Sequence, residues 1–398
     1  MPADASRQKV TVVTTSWGNV NDERYFATRA YAGAATTVAD VTIVHLTSSP
    51  AANPRLRDGA FGLAEVAATA GRPVEEAILL AALASADRSG RVPEVAGRGL
   101  HALEGGRSPE LATRIGATAP EVLVVAGLNQ GWPASMLDTL QPRPRLVVLP
   151  LMGDDPRLSA QGYRDFLRRA DVVCATSPGE RERVAAVVGS ATEVVGSATE
   201  VVDLPLVVPM NTVAASHRLV GMSHFDNYVV ILRGFPPGTV ECPAFGGYWN
   251  LRRAVPGLGV ADITNAEWRA TSKGFGYTVP AGPSRVNLWR LLAQAIALID
   301  LRPGGVLGRE AIESLLIGTP VLVPSTSTSR RIVVESGGGH VYWDEDDLIE
   351  AVVALSDPKE RAKVADRGRE WALRVHGDRE RFVADVTNSL VGAAAAAS

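Results

Sequence analysis

Apolar positions in the first 180 residues fall into short unbroken runs: Val10–Thr15 (VTVVTT), Val41–Leu46 (VTIVHL), Val122–Ala126 (VLVVA), Leu146–Leu151 (LVVLPL) and Val172–Ala175 (VVCA). Continuous β-branched runs bounded by turn formers predict strands buried on both faces, the habit of a parallel sheet. Helical spacing fills the gaps, over Asp22–Val38, Ala77–Ala86, Pro109–Gly116 and Gln161–Arg169. Such serial β-α-β units wind a sheet on both sides through right-handed crossovers. The pattern restarts at Tyr228–Leu232 (YVVIL) and passes a Gly/Pro-rich stretch, Pro236–Gly259, that fits no period. It then predicts a helix over Asn287–Ile299, strands at Ala297–Leu301 and Val321–Val323, and helices over Asp346–Leu355, Pro358–Val375 and Arg379–Val391.

A length of 398 residues suits two domains. The aperiodic, turn-rich Pro209–Asn227 separates the two series. The division is therefore an N-terminal domain at 1–210, a linker at 211–227, a second domain at 228–378, and a last helix with a fraying tail at 379–398. That helix is expected to pack back on the first domain. The heptad VGSATEV occurs twice in tandem from Val188, too short and too Gly-rich for a coiled coil, and reads as a small duplication in a surface helix end or loop. Two doubly wound domains are expected to face a central cleft lined by the carboxyl ends of their strands, where such folds bind ligands.

Charge and cysteine content narrow the chemistry. The net charge is −3 with basic residues dispersed, which argues against nucleic acid as a partner. Cys174 and Cys242 are the two cysteines, too few for a disulfide framework and without metal-ligand spacing. The polar N-terminus and the lack of a long apolar run suit a cytoplasmic protein, with peripheral contact at a membrane left open.

The stretch most suggestive of a ligand is PGGVLGREAIESLLIGTPVLVP, residues 303–324. Gly304, Gly305 and Gly308 let backbone approach a bulky group, and the helix opening near Arg309 aims its amides at the same place, a natural phosphate seat. Glu313 lies one turn further in, where a carboxylate can accept from a ribose diol. Ile312, Leu315 and Leu316 take the core side of that helix, leaving Glu310 and Glu313 on another face. Alone, the pattern also fits a plain strand-to-helix turn.

From Glu313 to Ala372 the chain (ESLLIGTPVLVPSTSTSRRIVVESGGGH, then an acidic stretch, Asp-Pro and an Arg-rich helix) resembles the C-terminal domain of retaining GT-B glycosyltransferases of the family-4-like group. RRADVVCATSPGERERVAAVVG resembles the strand and Ser-x-x-Glu-Arg helix late in that family's first domain, and VDLPLVVPMN its exit strand. The likeness is strong after residue 297 and loose before 120. It implies a nucleotide-diphosphate-sugar donor as substrate, retention of configuration, and no metal or other cofactor.

Carried over by position, Glu313 matches the second glutamate of the Glu-x7-Glu motif, which holds the ribose, and Gly308 the glycine whose neighbouring amides face the diphosphate. Two departures stand out. Gly305 occupies the place of the first glutamate, and Arg233 precedes Gly234 where the family has Gly-Arg followed by a lysine. Arg233 remains a candidate for the diphosphate charge. Lys273 and Tyr277, in the base-loop stretch Phe275–Val279 and its approach, are donor candidates, as is Gly18 after the first strand. Where the family places a histidine near the reacting sugar, Asn129 and Gln130 stand here. His340 reads as a helix cap, and Trp17, Trp132 and Trp249 as loop tryptophans able to stack on a sugar.

The expected fold is α/β: GT-B, with two Rossmann-like domains. The expected activity is sugar transfer from a nucleotide sugar to a saccharide, lipid-linked or small-molecule acceptor. The missing carboxylate keeps an inactive scaffold, partnering another transferase protein, as the alternative; an epimerase on the same fold is a third.

Overall fold

A computed structural model describes residues 7–14, 23–46, 100–105, 110–127, 134–153, 156–159, 161–189, 199–206, 227–233, 248–264, 269–270, 285–301 and 308–391. The chain forms two compact units: one holds the described residues up to Leu206 together with those from Arg379 onward, the other those from Asn227 to Asp378.

The described residues of the first unit build a seven-stranded sheet. In chain order its strands are β1 (Gln8–Thr14), β2 (Ala39–Leu46), β3 (Leu100–Gly105), β4 (Val122–Ala126), β5 (Arg145–Leu149), β6 (Val172–Ala175) and β7 (Glu200–Asp203). The spatial order is β3-β2-β1-β4-β5-β6-β7, and every pairing is parallel. The reversal of winding next to β1 and β4 is the doubly wound signature. Helices α1 (Glu23–Ala35), α2 (Glu110–Ala117), α3 (Gln161–Leu167) and α4 (Pro178–Gly189) lie between the strands in sequence. Val13, Leu123, Val125, Val148 and Val173 cluster with Ile115 of α2, Phe166 of α3 and Val184 of α4, all buried. The unbroken valine runs are explained by this burial, since water reaches neither face of those strands.

The described residues of the second unit form six strands: β8 (Tyr228–Arg233), β9 (Gly259–Thr264), β10 (Arg269–Ala270), β11 (Ala297–Asp300), β12 (Val321–Pro324) and β13 (Gly339–Tyr342). Their order is β10-β9-β8-β11-β12-β13, parallel except for the antiparallel β9–β10 pair. Its helices are α5 (Tyr248–Ala254), α6 (Arg285–Leu292), α7 (Arg309–Ile317), α8 (Arg330–Ser336), α9 (Glu345–Ser356) and α10 (Pro358–His376). Asp344 caps α9 by accepting from Asp347 N at 2.9 Å, and Asp357 caps α10 by accepting from Lys359 N at 2.9 Å. Pro358 then takes the first turn of α10, where its missing N–H costs nothing. Inside α10, Gly368 packs on Gly338: a Cβ on either would stand within 2.5–2.7 Å of the other's Cα. The glycine pair thus sets how closely α10 approaches the sheet.

Three elements differ from the pattern reading. The helix expected to reach Ile299 ends at Leu292, because Ala297–Asp300 must enter the sheet beside β8. The unassigned Gly/Pro stretch contains α5, so Trp249 sits on a helix and not in a loop. The tandem repeat begins in the last turn of α4, while its second copy ends as Glu200-Val201 in β7. The expected helix Ala77–Ala86 lies outside the described residues, as does the interdomain linker except for Asn227.

The last helix, α11 (Arg379–Val391), belongs to the first unit and packs on α1. Tyr31 Oη and Ser389 Oγ share a buried hydrogen bond of 2.7 Å. The Cys174 thiol of β6 also bonds Ser389, and burial pushes it up to about 12 from an ordinary 9.0. Burial likewise holds Tyr31 well above the ordinary phenol value. Between pH 9 and 12 the unfolded thiol ionises while the folded one stays neutral, so unit stability must fall across that window, by ~1.4 kcal/mol per pH unit for one fully divergent group. In a Cys242→Ser background, Cys174→Ala should therefore flatten the alkaline loss of stability in thermal melts. Thiol reagent at pH 8 should label Cys174 only after denaturant is added; rapid labelling of the native chain would refute its burial.

Candidate functional site

The turn into α7 is set by Gly308, whose φ of 61° is a left-handed conformation that side chains rarely adopt. A side chain would also require Ile332 to move aside. A Cβ there would meet Ile332 Cδ1 at 2.5 Å and Ser329 Oγ at 3.2 Å, both at the start of α8. The far end of α7 is closed by a second left-handed glycine, Gly318, whose N–H reaches Ser314 O and Leu315 O. Thr319 Oγ1 donates to Leu292 O at 2.6 Å, and Ser314 Oγ donates to Thr319 O at 2.9 Å. The Gly-Thr-Pro that follows α7 is therefore a helix stop fastened to α6, followed by entry into β12.

Between these glycines every residue of α7 is buried, the charged ones included. The sequence reading gave Glu310 and Glu313 a face of their own; instead Glu310 is 1% and Glu313 0% exposed. Arg309 Nε donates to Glu313 Oε1 at 2.8 Å, one turn apart, with the arginine side chain 6% exposed. Asp300, at the carboxyl end of β11, is also buried. Taking such charges out of water is costly, and a hydrophobic helix would fold at least as well.

Gly308, Arg309 and Glu313 are thus brought together at the head of one helix. Arg233 is the last residue of β8, in register with Thr264 of β9, with its side chain outside the described set. Gly18, Asn129, Lys273, Tyr277 and Gly305 also lie outside it, as do Trp17 and Trp132. His340, read as a helix cap, is a residue of edge strand β13; burial, then the Arg367 charge, depresses its pKa. No group of three or more His, Cys, Asp or Glu suited to a metal occurs among the described residues.

The sequence reading assigned no role to Glu180 in the first unit. This fully buried carboxylate begins α4 and accepts four hydrogen bonds: Met152 N (2.7 Å) and Gly153 N (3.1 Å) on Oε1, Thr176 N (2.7 Å) and Thr176 Oγ1 (2.8 Å) on Oε2. It ties the loop after β5 to the end of β6. That loop turns through two left-handed residues, Leu151 at φ 53° and Gly153 at φ 57°. The available signal was Ser177-x-x-Glu180, a capping-box spacing; Ser177 Oγ does accept from Glu180 N at 3.2 Å, but the glutamate reaches one residue further back.

No family model matches the chain, and no curated protein sequence matches it significantly. Solved structures do. Sucrose-phosphate synthase from Thermosynechococcus elongatus superposes with a TM-score of 0.61 at 14% identity, over 98% of this chain and 100% of that one. Anabaena HepE, solved in complex with UDP-glucose, gives 0.59 at 12% identity over 96% and 99%. WaaG, a glycosyltransferase involved in lipopolysaccharide biosynthesis, gives 0.53 at 10% identity over 96% and 100%. The fold is GT-B: two parallel-sheet α/β domains of the Rossmann kind.

Proposed function

We propose that the protein is a glycosyltransferase that binds a nucleotide-diphosphate sugar at the head of α7. The observation that carries this reading is the buried Glu313, oriented by Arg309 behind a left-handed glycine turn. In this reading Glu313 accepts from the ribose diol, and the amides opening α7 meet the diphosphate, with helix polarity and hydrogen bonding acting together on the anion. Arg233 supplies a guanidinium suited to paired phosphate oxygens. Those groups would stabilise the leaving diphosphate without a metal, and by the family resemblance Asn129 takes the sequence position of the histidine near the reacting sugar. Retention of configuration follows the family resemblance. HepE holds UDP-glucose, so uridine is the first base to try. The acceptor is a saccharide, a lipid-linked sugar or a small molecule. Among the described residues no helix is long and apolar enough to cross a membrane, so a membrane-borne acceptor would be met at the surface.

One observation favours a second reading: Gly305 stands where the family resemblance calls for a carboxylate at the sugar. A scaffold would bind nucleotide weakly or not at all and support a partner transferase.

Calorimetry against UDP, GDP, ADP and dTDP tests the first reading. One nucleotide should bind, and Glu313→Ala should weaken it by roughly 30- to 100-fold, the worth of hydrogen bonds to a charged acceptor. Because that variant also strands Arg309, the 2′-deoxy form of the bound nucleotide provides a mutation-free check and should lose affinity on the wild-type protein. Failure to bind any of the four would sink the transferase reading.

A further inference from the structure

Ser329 is 1% exposed, and its hydroxyl has no hydrogen-bond partner among the described residues. Buried hydroxyls ordinarily have one. Its sequence position, at the N-cap of α8, suggests an obvious employment, yet the side chain makes no capping bond. The backbone explains why: φ −74° and ψ −6° are helical values, and a capping side chain needs the extended conformation to fold back on the next turn. Ser327, two residues earlier, takes over by accepting from Ser329 N at 3.1 Å. The Ser329 hydroxyl points elsewhere. It lies against Gly308, 3.2 Å from where a Cβ would stand, at the left-handed turn whose amides open the nine-residue α7.

We infer that Ser329 is a ligand residue, its hydroxyl donating to a phosphoryl oxygen seated at the Gly308 turn. The inference rests on the donor-binding reading of that turn and adds a residue from a different helix to it. Ser329 and Gly308 then have one explanation. The left-handed glycine brings the backbone that opens α7 close to the hydroxyl, and the hydroxyl lacks a partner among the described residues because its partner arrives with the donor. A side chain kept only for packing has no need of the oxygen. Alanine fills the same space and leaves no buried polar atom unsatisfied.

This gives opposite signs for stability and binding in one variant. Ligand-free Ser329→Ala should melt at the wild-type temperature or above it. Its affinity for UDP and for inorganic pyrophosphate should fall about tenfold, the scale of one lost hydrogen bond to an anion. Thr326→Ala, an exposed position on the same loop, should change neither. Wild-type affinity in Ser329→Ala overturns the inference while leaving the donor reading intact. A ligand-free melting temperature several degrees below wild type also overturns it, since the hydroxyl would then be structural. If Thr326→Ala weakens binding equally, the loop and not this hydroxyl is responsible, and the inference falls. If wild-type protein binds neither UDP, the other nucleoside diphosphates nor pyrophosphate, both readings fall together.

Discussion

Gly339→Ala should abolish the β12–β13 pairing and destabilise the second unit by about 3–5 kcal/mol or more, the upper end for single substitutions. The cause is contact with backbone, which cannot move aside as a side chain can. A Cβ at this position would lie 1.7 Å from Val321 O, 2.7 Å from Val321 C and 2.8 Å from Val321 N. Val321 is its register partner in the parallel pair, so the strands must separate to admit the methyl group. The neighbouring contacts cannot absorb that shift. Gly338, one residue before, is already wedged against Leu315 Cδ2 and Gly368 Cα. Moving β13 outward would therefore also disturb the packing of α7 and α10. Amide exchange reads this locally: Val321 N, bonded to Gly338 O at 3.0 Å, and Ser325 N, bonded to Tyr342 O at 2.9 Å, should lose their protection. Unchanged protection of both amides together with a wild-type melting profile would contradict the tight approach. Gly308→Ala offers a milder comparison. Its left-handed φ costs about 1–2 kcal/mol, and its close neighbour is the flexible tip of Ile332.

Much of this was legible from residues alone, and what was not has identifiable causes. The strands at Val122–Ala126 and Val172–Ala175 and the helix Arg379–Val391 match the structure residue for residue, because each run of β-branched or periodic residues ends at a turn former. The helix carried too far, toward Ile299, failed because Leu-Leu-Ala-Gln-Ala-Ile-Ala suits a helix locally and only pairing with β8 makes its end a strand. By composition the triple glycine at 337–339 reads as a turn. Two of its members instead serve close packing, Gly338 against α10 and Gly339 against β12, a tertiary demand that composition cannot reveal. At the candidate site the sequence pointed to Gly308, Arg309 and Glu313 but placed the two acids of α7 on a separate face; periodicity cannot register that a helix is enclosed on all sides. The Ser329 hydroxyl left no trace in the sequence, since a serine opening a helix is ordinarily its cap.

Glu180→Ala should be the most damaging polar substitution in the first unit, costing about 3–5 kcal/mol. Removing the carboxylate leaves Met152 N, Gly153 N and Thr176 N buried without an acceptor, and each stranded donor carries a desolvation penalty of ~1–3 kcal/mol that local rearrangement only partly relieves. The loop most affected is the least able to adapt, because Leu151 already holds an unfavourable left-handed conformation and Gly153 a second one. Glu180→Gln should be milder, at ~1–2 kcal/mol. Its amide oxygen can serve one pair of donors, but its NH2 group faces the other pair, where only the Thr176 hydroxyl can turn to accept. The pH dependence separates charge from shape. Burial raises the Glu180 pKa above its ordinary 4.5 against the opposing hydrogen bonds from Thr176, Met152 and Gly153. A folded value above the unfolded one means that the folded state holds its proton longer, so this contribution to stability is full below pH 4.5 and fades as pH rises through the folded pKa. The gap between wild type and Glu180→Ala should thus be wider in mild acid than at neutral pH. Cys174, two residues before Thr176 in the chain, supplies the readout: in a Cys242→Ser background its labelling in native buffer reports opening of this unit alone. A loss of ~4 kcal/mol would raise the population of the open, reactive form by about three powers of ten. Labelling of Cys174 at the wild-type rate in Glu180→Ala would show that the four hydrogen bonds do not hold the end of β6 in place.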